Sequence, residues 1–298
     1  MSIPRKPGLV VTNFGARLAV EDADGRVHRC VKRKELPPVV CGDRVEWQAQ
    51  AGGEGVVIAA ATRRNELARP DRRGRDKPVA ANFDDLVIVA APRPPPQRQL
   101  LDRYLVLAEH LPCAALLVMH KNDLAESRNA EITALHDGYA ALGYRVLRTS
   151  TRTPEGLTPL RDALRSRTAV LVGPSGVGKS SIVAALVPDR DIQIGALSES
   201  SGLGRHTTSA TTLYRLPGGG ALIDSPGIRD MPLRRFSAQQ IRDGFREFAS
   251  FSQACRFANC AHLREPGCAV RAAVGGQIQR QRWESYRAIV TAIEEQPH

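Results

Sequence analysis

The sequence has no apolar run long enough to cross a bilayer, so neither a membrane-spanning helix nor a membrane partner is expected. Its first residues, MSIPRKPGLVV, lack the apolar stretch and small-residue cleavage site of a secretory signal, and a cytoplasmic location is expected. No internal repeat and no low-complexity stretch is apparent, which sets aside repeat arrays and long disordered tails. Acidic residues are in deficit: 31 Asp and Glu face 42 Lys and Arg, a formal net charge of +11. Such a balance suits a polyanionic partner, with nucleic acid the first candidate.

The charge is unevenly placed. Residues 1–80 carry 16 basic and 10 acidic side chains, residues 81–228 carry 15 and 14, and residues 229–298 carry 11 and 7. A near-neutral centre between basic flanks fits a catalytic core held between two RNA-facing modules. At 298 residues and 42% hydrophobic content, the chain can bury the cores of two or three domains.

Cysteine is scarce. Cys30, Cys41 and Cys113 are scattered and read as small buried apolar residues. The other three, Cys255, Cys260 and Cys268, form with His262 the pattern C-x4-C-x-H-x5-C, with Pro266 and Gly267 turning the chain inside it. Three thiolates and an imidazole suit tetrahedral Zn²⁺. Four protein ligands leave no open position, so the expected site is structural, one zinc per chain.

Residues 8–60 read as five short strands, over 9–11, 16–20, 27–31, 44–48 and 55–60, separated by turn formers. That pattern fits a small barrel, OB-fold-like or SH3-like. Residues 61–80 are rich in Arg and poor in large apolar groups, which reads as a linker or an extended basic arm. From 81 to 228 apolar strands alternate with helical stretches at 97–111, 129–142, 154–165 and 179–186, the pattern of a mostly parallel sheet covered on both faces. Helices are expected near 238–250, 269–274 and 278–293.

The strongest motif is Gly173-Pro174-Ser175-Gly176-Val177-Gly178-Lys179-Ser180, which fits G-x-x-x-x-G-K-[ST] between a predicted strand and a predicted helix. Its backbone N–H groups and the helix N-terminus, where Ser181 follows, would cradle a triphosphate. Lys179 would reach the β- and γ-phosphates, and the Ser180 hydroxyl would bind Mg²⁺. Asp224-Ser225-Pro226-Gly227 follows an apolar strand. Its Asp224 is a candidate for the Mg²⁺ shell, and the Gly227 N–H for the γ-phosphate. Between them, Gly202-Leu203-Gly204-Arg205-His206-Thr207-Thr208 has the composition of a switch loop. Thr207 and Thr208 are both candidates to complete the Mg²⁺ shell.

His120-Lys121-Asn122-Asp123 ends another predicted strand. A lysine stem can lie along a purine, and a carboxylate can accept from the N1–H and N2–H of guanine but not from adenine. Asp123 therefore predicts guanine. The loop 149–151, with Ser150, is expected to touch the base from its other side. The motif resembles N-K-x-D with His120 in place of Asn, which predicts weaker nucleotide affinity and unchanged base choice. These base-reading elements precede the phosphate loop in the chain, so the site forms only if the domain is circularly permuted. Asp224–Gly227 then leads directly towards residues 229–298, and a switch movement there would pull on them.

Taken together, Gly-Arg-His-Thr-Thr at 204–208, the P-loop at 173–180, Asp224 to Gly227, and the Cys/His pattern enclosing Glu265-Pro266-Gly267 resemble the ribosome small subunit-dependent GTPase A (RsgA) family. The likeness covers essentially the whole chain. It implies a multidomain α/β protein: an OB-fold-like β-barrel over 1–60, a basic linker over 61–80, a circularly permuted P-loop GTPase over 81–232, and a helical zinc-binding domain over 233–298. It implies GTP hydrolysis to GDP, stimulated by the 30S ribosomal subunit, a role in late 30S assembly, and contacts to 16S rRNA from both flanks. A monomer is expected. Thr151 stands where the family usually has Ala. Ile228 stands where many GTPases orient water with Gln, so His206 becomes the candidate catalytic group beside Lys179, with rRNA contact its other possible role. A competing reading is an RNA-binding assembly protein with a vestigial nucleotide site. A third, an ATP-using P-loop enzyme, is opposed by Asp123.

Overall fold

A computed structural model describes residues 4–50, 53–71, 74–189, 210–225, 233 and 235–295. The chain begins with five strands: β1 (Lys6–Asn13), β2 (Arg17–Glu21), β3 (Val27–Lys32), β4 (Arg44–Ala49) and β5 (Gly55–Ala60). They pair in the order β1-β2-β3-β5-β4, and β4 returns to β1, which closes a barrel with only the β3–β5 pair parallel. Alternation along each strand sends Val10, Leu18, Val20, Cys30, Val45, Trp47 and Val57 inward as one apolar core. The closed five-strand order is that of an OB-fold-like barrel and resolves the choice left open by the strand pattern.

The region expected as an extended basic connector is ordered differently. Strands β6 (Glu66–Pro70) and β7 (Asp76–Ala81) form an antiparallel hairpin. Leu67 and Ala80 are fully buried in the same apolar cluster as the central sheet. The Arg-rich composition misleads because a few apolar residues, Leu67, Ala68, Val79, Ala80 and Ala81, are enough to bury the inner face, while among the described residues of the hairpin no charged one is buried.

The centre runs β8 (Asp85–Ala90), α1 (Arg98–Glu109), β9 (Ala114–Met119), α2 (Ala130–Ala141), β10 (Arg145–Arg148), α3 (Thr158–Leu164), β11 (Thr168–Val172), α4 (Lys179–Leu186), β12 (Thr211–Arg215) and β13 (Ala221–Asp224). Strands β10-β9-β8-β11-β13 are all parallel, and β12 is antiparallel at their edge. Both faces are covered. Val87, Val89, Leu116 and Leu171 pack against α3 and α4, whereas Leu86, Ile88, Leu117 and Val170 pack towards α1 and α2. The outer strand β12 also pairs with β1, so the barrel and the central sheet form one eleven-stranded sheet.

The C-terminal part holds α5 (Ala238–Asp243), α6 (Ala249–Ser252), α7 (Ala269–Ala272) and α8 (Arg280–Glu294). The single helix expected near 238–250 is broken. Ser237 caps α5 with a reciprocal Gln240 capping box, the helix ends at Gly244, and a short 3-10 turn (Arg246–Phe248) leads into α6. A Cβ at Gly244 would lie 2.8 Å from Val106 of α1, so the chain bends where it touches the central domain. Among the described residues no helix is long and apolar enough to cross a membrane.

Candidate nucleotide site and metal centre

Because β8, β9, β10, β11 and β13 run parallel, the segments that follow them emerge along one edge of the sheet. The phosphate-loop segment leaves β11, the base-reading segment leaves β9, the 149–151 loop leaves β10, and Asp224 closes β13. Sequence segments up to a hundred residues apart are thereby brought together.

Within the phosphate loop, two glycines are required by their neighbours. A Cβ on Gly173 would stand 2.3 Å from the Val89 carbonyl oxygen, and one on Gly178, at φ +101°, would stand 2.4 Å from the His120 ring. Gly178 immediately precedes α4, whose first residue is Lys179. The Lys179 ammonium donates to the carbonyls of Gly173 (2.7 Å) and Pro174 (2.6 Å), folded over the loop it serves. Val177 is buried and pins the loop to the sheet. Ser175, Gly176, Ser180 and Ser181 are exposed.

The base segment is tied to this loop directly. Lys121 donates from Nζ to the Gly176 carbonyl at 2.6 Å and to the Arg93 carbonyl at 2.8 Å. Asn122 is held through its backbone N–H on the Thr149 carbonyl, 3.0 Å. Ser150 donates its hydroxyl to Asp123 Oδ1 at 2.5 Å, and its own N–H is held by the Gly156 carbonyl at 3.0 Å. That Ser150 hydrogen bond, the largest influence, holds the Asp123 carboxyl below the usual carboxylate range. It is an ionised acceptor at neutral pH.

His120 is buried, with 2% of its surface exposed. Its Nδ1 lies 3.0 Å from Thr149 Oγ1, and the edge carrying Cδ2 and Nε2 lies against Gly178. Burial lowers its pKa, so the imidazole is neutral at pH 7. The ring thus fills the space between the β10 loop and the phosphate loop.

On the phosphate side, Thr211 Oγ1 and Ser225 Oγ lie 2.8 Å apart, which ties the start of β12 to the residue after Asp224. His206, Thr207, Thr208 and Gly227 lie outside the described residues. Sequence reasoning missed the contribution of 92–97. Arg93 supplies a carbonyl to Lys121, and Pro94 lies 3.5 Å from where a Gly176 Cβ would be. Gln97, Arg98 and Arg103 line a cleft with Pro174 and Ser175. The run Pro94-Pro95-Pro96 was the visible signal, since prolines without N–H groups can continue neither the β8 ladder nor a helix interior and so mark the connection between β8 and α1.

Cys255, Cys260, His262 and Cys268 offer ligand atoms that all lie within 4.8 Å of one another. Cys255 Sγ is 4.0 Å from Cys268 Sγ, and His262 Nδ1 is 3.6 and 3.4 Å from those two sulfurs. Metal–sulfur bonds of about 2.3 Å at tetrahedral angles require sulfurs roughly 3.8 Å apart. The donor set therefore fits a four-coordinate metal ion. The ring is oriented from behind, with His262 Nε2 3.1 Å from Ser252 Oγ. Glu265 accepts from the backbone N–H groups of Ala261 (2.9 Å), Leu263 (2.9 Å) and Arg264 (3.0 Å), and Trp283 donates to the His262 carbonyl at 3.0 Å.

Comparison with known proteins agrees with this geometry. Residues 60–234 match the family model described as RsgA GTPase. The small ribosomal subunit biogenesis GTPase RsgA of Pseudomonas aeruginosa is 48% identical over 294 residues, covering 98% of this chain and 87% of that one. The crystal structure of YjeQ from Thermotoga maritima superposes with a TM-score of 0.80 at 28% identity, over 99% of this chain and 100% of that one. YloQ, described as a circularly permuted GTPase, superposes with a TM-score of 0.76 at 29% identity, over 99% and 97% of the two chains.

Proposed function

The chain belongs to the RsgA GTPase family, and from that premise we propose that it hydrolyses GTP on the small ribosomal subunit during late 30S assembly. The observation that carries the nucleotide reading is the Lys121–Gly176 contact at 2.6 Å, which joins the base segment to the phosphate loop across one pocket. Asp123, ionised and oriented by Ser150, accepts from guanine N1–H and N2–H, and adenine would leave it unpaired. Lys121 lies along the purine. The amides of 173–178 and the N-terminus of α4 bind the phosphates. Once a triphosphate is bound, the Lys179 ammonium exchanges the Gly173 and Pro174 carbonyls for β- and γ-phosphate oxygens, where charge builds up as the γ-phosphoryl leaves.

Ser180 and Asp224, with Thr208 or Thr207, would hold Mg²⁺, which supplies further charge neutralisation to the phosphates. Water attacks phosphorus in line, and the bond to the β-γ bridging oxygen breaks to give GDP and phosphate. Ile228 cannot orient that water. His206 is assigned the task, and its ordering on the subunit would account for stimulation.

Cys255, Cys260, His262 and Cys268 would hold a structural Zn²⁺, consistent with the fit of the donor set. The proposed division is a barrel over 1–60, a permuted GTPase over 81–232 and a zinc domain over 233–298, with the 66–81 hairpin packed on the GTPase. The basic flanks suit contact with 16S rRNA, in a cytoplasmic monomer. The test is GTP turnover with and without purified 30S subunits, with GTP and ATP in competition. Stimulated, guanine-selective turnover is expected. Binding to the subunit with no turnover would favour an assembly protein with a vestigial nucleotide site. Loss of stimulation in His206→Ala, with subunit binding retained, is expected if His206 acts in the chemistry.

A further inference from the structure

We propose that Phe257 and Arg256, in the loop between the metal-ligand candidates Cys255 and Cys260, form a stacking platform for one unpaired RNA base. The proposal rests on the reading above that this chain works on a ribosomal subunit, and it names the contact that the C-terminal part makes.

Among the described residues, Phe257 is the large apolar side chain left exposed, at 41%. A phenylalanine ring offers a flat apolar face with no polar group to satisfy, which suits it to stacking against another flat ring. The Arg256 guanidinium lies beside the ring, with Cζ 5.5 Å from the ring centroid. The backbone under the pair is fixed. Arg256 N–H donates to the Gly267 carbonyl at 3.0 Å, and Cys260 N–H donates to the Phe257 carbonyl at 3.2 Å. A platform held in this way loses little freedom when a flat ligand stacks on it.

The surroundings select the ligand. Across 253–272 the charged side chains are Arg256, Arg264, Arg271 and Glu265. All three arginines are exposed, whereas both Glu265 oxygens accept backbone N–H groups inside the loop. The loop that carries Phe257 therefore presents arginines to solvent, Arg256 at the ring itself, with its one carboxylate engaged by backbone N–H groups. An aromatic ring among guanidinium groups matches a nucleobase next to its phosphates. A ring that can stack on any base suits single-stranded or bulged RNA, and a duplex hides its base faces.

The experiment measures binding of a labelled 12-nucleotide single-stranded RNA, the same sequence as a duplex, and purified 30S subunits, by the full-length protein across a KCl series. Metal content and thermal unfolding report folding of each variant. Phe257→Ala and Phe257→Leu are expected to weaken single-strand binding roughly tenfold with no change in salt slope, and to leave duplex binding as it was. Phe257→Trp should retain affinity and lose indole fluorescence on binding. Arg256→Ala should lower the salt slope by about one. The leucine variant keeps the apolar bulk, so it decides the matter if the alanine variant does not fold. Wild-type affinity for the single strand in Phe257→Leu overturns the platform. So does a loss confined to 30S particles, which would assign the ring to a ribosomal protein. A wild-type protein that fails to bind 30S at all would instead defeat the proposed function.

Discussion

The barrel and the C-terminal helices are joined to the central domain by different chemistry. The barrel is joined through backbone. Strand β1 pairs with β12 at Thr12↔Thr212 and Asn13↔Thr211, and the exposed Arg215–Glu21 ion pair adds to this at 2.7 Å. The C-terminal helices are joined through side chains. Arg282 of α8 makes a bidentate pair with Glu247 (2.7 and 3.0 Å), bonds Asp102 of α1, and lies 4.4 Å from the Phe245 ring. Tyr139 of α2 donates to the same Asp102 at 2.6 Å. All these charges are buried. A backbone ladder tolerates substitution, because the pairing groups are present in every residue. A buried charge cluster does not, because removing one member leaves the others unpaired in a low-dielectric interior. In sequence, the strand at the barrel seam also lies between 202–208 and 224–227, the proposed switch segments, whereas the C-terminal seam lies on α1 and α2.

The largest expected effect separates the metal loop from the C-terminal seam. Structural zinc sites contribute about 10–16 kcal/mol of apparent folding energy in small peptides. Stripping the metal proposed for the Cys/His cluster with a strong chelator should abolish amide protection over 253–268, while α8 stays protected through Arg282, which bonds Asp102 of α1. Loss of protection in both, monitored by hydrogen exchange, would mean that the metal and not the charge cluster holds the seam.

Next comes the cluster. Arg282→Met leaves two buried carboxylates, Asp102 and Glu247, without their cation, Asp102 keeping only the Tyr139 hydroxyl, and should cost about 3–5 kcal/mol in urea unfolding. The smallest effects belong to the barrel seam. Thr12→Val removes the 3.4 Å hydroxyl contact to Thr212 and should cost about 1 kcal/mol. Arg215→Ala should cost about 0.5 kcal/mol or less, since exposed ion pairs are weak. The contrast between the seams fails if either barrel substitution matches Arg282→Met.

How much of this was legible in the sequence follows from how local each signal is. The barrel strands, the helix at Lys179–Leu186 and the Cys/His cluster depend on short-range patterns, and all are found as expected. The return of β4 onto β1 and the β1–β12 ladder join residues about 40 and 200 apart, which periodicity cannot reveal. The hairpin at 66–81 was hidden by its arginines. The break at Gly244 was hidden because 238–250 keeps a helical period through a turn imposed by contact with Val106. The Ser150–Asp123 pairing was half visible: the loop was placed beside the base, but the hydroxyl's orienting role depends on the β9–β10 pairing. The role of Arg282 was invisible, since one of three arginines in a helix reads as a solvated charge until α1 supplies Asp102.

The account depends on Asp123 and the 173–180 loop serving one guanine nucleotide. Asp123→Asn replaces an acceptor by an amide that can donate to the extra carbonyl of xanthine, so binding of GTP and of xanthosine triphosphate to wild type and variant is the direct measurement. The account predicts that the variant loses roughly a hundredfold or more in GTP affinity and gains affinity for the xanthine nucleotide. Unchanged GTP affinity in a folded Asp123→Asn protein would contradict it.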